Sequence, residues 1–203
     1  MYNFLKLLSK IVMFFLRTEI RGRENLNVPG NTIIISNHLQ LLDPAMIIAF
    51  FKQKVHFIAK EELFKTAFLR MILKHIGTFP VRRGMSDIRA VRNCLEVLRA
   101  NGVLGIFLEG KRSRTGEVLP FEPGVAMFAM KTGATVIPVM IHHRYSLLKR
   151  PHMTVGAPLD MSRFEGMKRG AQTYDQVTQY MRECLLKLKE QPWEDREHAR
   201  TSC

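Results

Sequence analysis

The 203-residue chain carries 31 Lys and Arg against 18 Asp and Glu, a formal charge of +13, and is 46% hydrophobic. That length and apolar share suffice for one core without a disulfide or metal staple. The three cysteines, Cys94, Cys184 and Cys203, form no CxxC unit, which argues against structural zinc and for a reducing compartment. The charge calls for an anionic partner: nucleic acid, a phosphorylated metabolite or an anionic membrane.

Residues 1–18 are apolar but interrupted by Lys6, Lys10 and Arg17. The uncharged run Ile11 to Leu16 is too short to span a bilayer, and no small-residue cleavage site follows. Phe4, Leu5, Leu8, Ile11, Val12 and Phe15 can share one helical face. The segment reads either as an anchor lying on anionic lipid or as a first helix packed on the core. We treat 1–18 as an amphipathic membrane-associating helix and 19–203 as one catalytic domain.

After a short strand and turn in 19–32 comes Thr32-Ile33-Ile34-Ile35-Ser36, a buried strand by its β-branched apolar run. Asn37 and His38 leave it, and Asp43-Pro44 has the form of a helix start, with Asp43 as cap. A fold-back over the four residues between His38 and Asp43 can set Asp43 on one imidazole nitrogen, fixing the tautomer and leaving the other to take a proton. The plainer alternative is a helix cap beside a polar turn histidine. No serine or cysteine nucleophile stands in this stretch, so the pair suits deprotonation of a substrate hydroxyl.

A helix is expected over 44–51, a strand over 55–59 and a helix over 61–76 that buries Leu63, Phe64, Ala67, Phe68, Met71 and Ile72. Gly77 stops that helix. Thr78 to Val81 then delivers Arg82 and Arg83 to a turn. A helix over 86–100 and a buried strand over 103–108 follow, and Glu109, Gly110, Lys111, Arg112 and Ser113 leave that strand. The remaining elements are a helix at 125–131, strands at 135–141 and 153–156, and an amphipathic helix at 174–188. This alternation predicts an α/β fold with a central mixed β-sheet flanked by helices, its binding groups at the carboxyl ends of strands.

Between Val81 and Arg114 there are eight Lys or Arg and three acids. Arg82, Arg83, Lys111 and Arg112 stand on turns between apolar elements, which suits a discrete phosphate better than a nucleic-acid track. Gly105 to Lys111 has GxxxxGK spacing, but Arg112 replaces the Ser or Thr that would hold magnesium, and Ile106 to Leu108 reads as strand. No GxGxxG or GxSxG is present. His142-His143 would diverge in a strand and has no ligand cluster around it. The aromatics fall at core spacings and build no base-stacking platform.

Four blocks in order complete the reading. Asn37-His38-Leu39-Gln40-Leu41-Leu42-Asp43 resembles the HxxxxD signature of the glycerolipid acyltransferases. Gly77 to Arg83, Phe107 to Ser113 and Val136 to Val139 resemble their second, third and fourth blocks, over residues 19–160. The likeness is greatest to the 1-acylglycerol-3-phosphate acyltransferases. It implies that His38 is the general base and Asp43 its partner. It implies an acceptor phosphate on the second-block arginine, better matched by Arg83 than by Arg82. Glu109, Gly110 and Arg112 would belong to the acceptor site, with Lys111 adding charge.

The implied reaction moves an acyl group from acyl-CoA or acyl carrier protein to the 2-hydroxyl of lysophosphatidic acid, giving phosphatidic acid. It needs no cofactor and no metal, works at the cytoplasmic face of the membrane from a peripheral position, and involves no nucleic acid. Glycerol 3-phosphate or another lysolipid is the alternative acceptor, and a basic nucleic-acid-binding module the alternative of another class. The chain has Gln40 where the family often has serine, Leu108 where it has proline and Lys111 where it has threonine. These departures bear on the acceptor more than on the reaction.

Overall fold

The isoleucine run forms the middle of β2 (Thr32–Ser36), every residue of which is buried. Ile34 faces one hydrophobic cluster and Ile33 and Ile35 face another, because alternate strand residues point to opposite sides. A strand buried on both faces must lie mid-sheet, and β2 does. The computed structural model describes residues 1–82, 87–113, 115, 118, 124–146 and 148–190.

The other strands are β1 (Glu19–Arg21), β3 (Val55–Lys60), β4 (Phe79–Val81), β5 (Val103–Phe107), β6 (Thr135–Ile141) and β7 (His152–Val155). Among the described residues they form one seven-stranded sheet in the order β1-β7-β6-β2-β5-β3-β4. Only β6 and β7 pair antiparallel. The mixed sheet is therefore as expected. The carboxyl ends of β6, β2, β5, β3 and β4 all open on one edge, where a crevice forms.

The helices are α1 (Tyr2–Phe15), α2 (Asp43–Phe50), α3 (Ala67–His75), α4 (Ile88–Arg99), α5 (Gly124–Thr132) and α6 (Ala171–Glu190). Buried residues of α1 and α2, such as Met13, Met46 and Ile47, fill one face of the sheet. Those of α4, α5 and α6, such as Leu98, Val125 and Met181, fill the other.

Two helical expectations are corrected. The helix expected over 61–76 is a 3-10 turn (Glu61–Phe64) followed by α3, interrupted where Thr66 takes an extended ψ of 125°. Its expected inward face buries nothing fully, and Leu63, Phe68 and Met71 stand exposed. Helical period reports an apolar face but not which side the sheet lies on, and this helix sits at the sheet's β4 edge.

In α1 the expected single stripe is split. Met13 is buried and Leu5 and Val12 turn inward, while Phe4, Leu8, Ile11, Phe14 and Phe15 point out. Lys6 donates to the carbonyls of Phe51 and Lys52 and ties α1 to the end of α2. The helix thus packs on the core with one face and presents a second apolar face outward.

His142 and His143 follow the end of β6 and take separate partners on β7. His142 Nε2 meets Thr154 Oγ1 at 2.7 Å, and His143 Nε2 meets His152 Nδ1 at 3.3 Å. Among the described residues no cluster of His, Cys, Asp or Glu could hold a metal ion. Burial, with smaller help from His152, His143 and Arg21, pushes His142 down from 6.5 to about 4. Its unfolded form binds a proton first as pH falls, so its contribution to stability is whole above pH 6.5 and is lost towards pH 4. The thermal midpoint should drop across that window, and His142→Asn should flatten the drop when melts are compared at pH 7 and 5.

Candidate active site

The site grows from the end of β2. Asn37 Nδ2 donates to the carbonyl of Ile141 (2.9 Å), and Asn37 Oδ1 accepts from the Ile141 amide (2.8 Å). The side chain so takes the place of the next ladder rung to β6 and frees the main chain to turn out of the sheet with His38. Leu39 is buried beneath the turn, and Pro44 in the first turn of α2 starts the return.

Asp43 starts α2, as expected, but it is not the cap residue, which is Leu42; its carboxylate makes the expected fold-back towards His38. Oδ2 accepts from the amides of Leu39 (2.7 Å) and Gln40 (2.7 Å) and lies 2.8 Å from His38 Nδ1. Oδ1 accepts from the Tyr145 hydroxyl at 3.0 Å. The carboxylate is fully buried. A buried charge is tolerated only when its lone pairs are met, and here four donors meet them. As an ionised carboxylate can only accept, Nδ1 carries the proton and Nε2 holds the lone pair. The His38 side chain keeps 16% of its surface exposed, and among the described residues Nε2 has no hydrogen-bond partner.

An aromatic stack holds the ring from one side. His38 lies 4.2 Å from the Phe107 ring, the planes 23° apart, and Phe107 stacks in turn on Phe57 at 5.7 Å. Phe57 lies across Gly105, where a Cβ would come within 2.3 Å of the ring, so only glycine admits it.

The charged turn after β5 closes over this pair. Glu109 is buried, and Gly110 adopts φ +61°, the left-handed conformation glycine accepts readily. The Ser113 amide donates to the His38 carbonyl at 2.7 Å. Lys111 and Arg112, immediately before Ser113, are exposed. They are brought to the mouth of the histidine turn with their charges free to meet an anion.

Arg82 is placed differently. It is exposed, and its guanidinium grips Glu61 through Nε (2.8 Å) and Nη2 (3.2 Å). Its strand, β4, is three positions from β2 in the sheet, about 14 Å by strand spacing. Arg83 lies outside the described residues. The expected residues therefore gather as His38 and Asp43 with the 109–112 turn, while Arg82 stands apart.

Tyr145, Phe107, Phe57 and Ser113 were not foreseen. Gln40 was noticed only as a departure, and its structural role accounts for it. Gln40 Nε2 donates to the Tyr145 carbonyl (3.0 Å) and Gln40 Oε1 accepts from the Tyr145 amide (2.5 Å), so the side chain holds the tyrosine against Asp43. Burial, then the Asp43 charge, pushes the Tyr145 phenol far up, which keeps it a proton donor.

A histidine steered by a buried carboxylate, beside exposed Lys111 and Arg112 at the carboxyl edge of an α/β sheet, is an arrangement suited to group transfer to a hydroxyl. The Acyltransferase family model matches residues 17–142, and the chain belongs to that family. It is 32% identical over 126 residues to the 1-acyl-sn-glycerol-3-phosphate acyltransferase of Borreliella burgdorferi, covering 61% of this chain and 50% of that protein. It is 25% identical over 198 residues to the Bacillus subtilis protein of the same name, covering 93% of this chain and 98% of that one. The chain thus spans half the length of the first relative and nearly all of the second. The crystal structure of the 1-acyl-sn-glycerophosphate acyltransferase from Thermotoga maritima superposes with a TM-score of 0.73 at 26% identity, over 96% of this chain and 81% of that one.

Removing only the fourth donor tests the carboxylate's setting. Tyr145→Phe should lower the acyl-transfer kcat about tenfold with the circular dichroism spectrum unchanged, the loss expected of one hydrogen bond to a charged group. An unaltered kcat would show that three donors suffice.

Proposed function

We propose that the chain transfers an acyl group from a thioester donor, coenzyme A or acyl carrier protein, to the 2-hydroxyl of a 1-acylglycerol 3-phosphate, giving phosphatidic acid. One observation carries this reading: a buried carboxylate fixes the proton of His38 on Nδ1 and leaves Nε2, on a side chain still 16% exposed, without a hydrogen-bond partner among the described residues. The names of the Borreliella, Bacillus and Thermotoga relatives supply the substrate class.

The chemistry follows from the geometry. Nε2 takes the proton of the acceptor hydroxyl as its oxygen attacks the thioester carbonyl. Asp43 stabilises the imidazolium that forms and keeps the ring in place. When the tetrahedral adduct collapses, the imidazolium gives its proton to the departing thiolate, so no acyl-enzyme is needed. Lys111 and Arg112 receive the acceptor phosphate, since that phosphate must stay close to the reacting hydroxyl. The family pattern also assigns the acceptor phosphate to Arg83 or Arg82; Arg82 stands apart, paired with Glu61, and Arg83 lies outside the described residues. Glu109 and Gly110 shape the turn that presents the cations.

Residues 1–18 act as the membrane-contacting segment of this reading. Phe14 and Phe15 are 78% and 75% exposed at the end of α1, beside Arg17, and Leu41 and Leu42 stand exposed on the histidine turn. A soluble surface does not gain from such a face, whereas an acidic lipid interface does. Among the described residues no helix is long and apolar enough to cross a membrane. In this reading the contact is peripheral, and the resemblance to the glycerolipid acyltransferases implies the cytoplasmic face.

Release of free thiol from acyl-CoA and from acyl-acyl carrier protein, with lysophosphatidic acid as acceptor, tests the reaction. His38→Ala should cut turnover by about 10²–10⁴ without unfolding the chain. Turnover at the wild-type rate would remove His38 from the mechanism. Phe14→Ser with Phe15→Ser should reduce sedimentation with phosphatidylglycerol vesicles at least tenfold, from the transfer energy of two phenylalanines. Equal sedimentation would assign α1 to the core alone.

A further inference from the structure

Away from His38, α3 and the edge strand β4 flank an open groove of about 630 Å³, within the range of small-molecule sites. Phe64 and Phe79 give it apolar walls, and Lys65, Arg70 and Lys74 line it with three cations. The nearby carboxylates are spoken for: Glu61, at one end, is gripped by Arg82, and Glu62 by Lys60. Among the described residues none of the three groove cations forms an ion pair. Thr78 supplies an independent sign. It is only 5% exposed, it lines the groove, and among the described residues its hydroxyl has no hydrogen-bond partner. A buried hydroxyl left unmet is costly unless something outside the chain meets it.

Distance decides which anion. Phe79 pairs with Ile58, so Thr78 stands level with Phe57, which pairs with Gly105, which pairs with Ile34. From that row to the His38 ring is three strand spacings sideways and about three residues along the strand. The separation is roughly 17 Å. In a 1-acylglycerol 3-phosphate the reacting hydroxyl and the phosphate are on neighbouring carbons, so the acceptor phosphate cannot sit here while its hydroxyl is at Nε2. In coenzyme A about thirteen bonds separate the sulfur from the first phosphate, about 15 Å when extended like a peptide.

We propose that the α3–β4 groove binds the phosphorylated nucleotide end of an acyl-CoA donor, with the pantetheine arm running across the carboxyl ends of β3 and β5 to the thioester at His38. The inference rests on the acyl-transfer reading and adds to it a donor class and a second site. Arg70, Lys74 and Lys65 meet phosphate oxygens, Thr78 donates its hydroxyl at the bottom of the groove, and the phenylalanines flank the base. A concave groove with phenylalanine walls suits a nucleotide better than the convex acidic surface of a carrier protein.

The test uses the full-length protein and coenzyme A itself, titrated by calorimetry, beside steady-state kinetics with acyl-CoA and lysophosphatidic acid. Arg70→Ala with Lys74→Ala should weaken coenzyme A binding at least tenfold and raise the acyl-CoA KM in step, leaving the lysophosphatidic acid KM unchanged. Thr78→Val should also weaken coenzyme A, yet raise the thermal midpoint, because it removes a hydroxyl that lacks a partner in the free protein.

Coenzyme A binding equal to wild type in these variants overturns the proposal. So does a rise confined to the lysophosphatidic acid KM, or a loss confined to acyl-carrier-protein use or to sedimentation with phosphatidylglycerol vesicles. The two readings separate cleanly. Coenzyme A bound by wild type and lost in the variants, without any acyl transfer, upholds the groove and sinks the transferase. Acyl transfer with coenzyme A affinity unmoved by the variants does the reverse.

Discussion

The Asp43 carboxylate, sealed from water and met by four donors, is the interaction on which the rest of the site depends. Two of the donors are main-chain amides of the turn that carries His38. One is the His38 ring, and one is a phenol from beyond β6. The charge therefore organises its own surroundings: without it the amides of Leu39 and Gln40 would lose their acceptor and the turn its shape. A group so fully satisfied is also rigid, and rigidity is what a base needs to hold a nitrogen lone pair in one direction.

Much of the fold could be read in the sequence because β2 is buried on both faces. An isoleucine run without alternation has few other uses, and the strands and helices around it follow in the expected order. The pairing of His38 with Asp43 was legible from a strand end, a proline and a spacing. The other donors to the Asp43 carboxylate, the Leu39 and Gln40 amides and the Tyr145 hydroxyl, were not, since main-chain amides and a distant phenol leave no mark in one dimension. Tyr145 was hidden because its partner lies 102 positions away. Gln40 left a trace as a departure from the family pattern, and only the three-dimensional pairing with Tyr145 explains it.

The misread elements share a cause. Helical periodicity gave α1 and the 61–76 segment apolar faces correctly, but it cannot say whether such a face meets protein or something else. At the sheet's middle the two answers coincide, as in α2. At its margins they do not, and there Phe68, Met71, Phe14 and Phe15 remain exposed. The same margins hold the free cations of α3. The charge of +13 is thus not a uniform coat, because part of it is set in grooves and turns that open on the same end of the sheet as His38.

One consequence of the two-faced α1 remains. Its inner side leans on α2, and α2 begins with Asp43. The greasy outer side and the reaction centre are therefore parts of one stiff block, with Lys6 bolted to the far end of α2. On the proposed lipid-contacting reading of α1, the depth its phenylalanines reach in a film of oil would set the height of the imidazole above it. An alcohol just beneath the lipid headgroups can then be met where it lies, with its tail still dissolved.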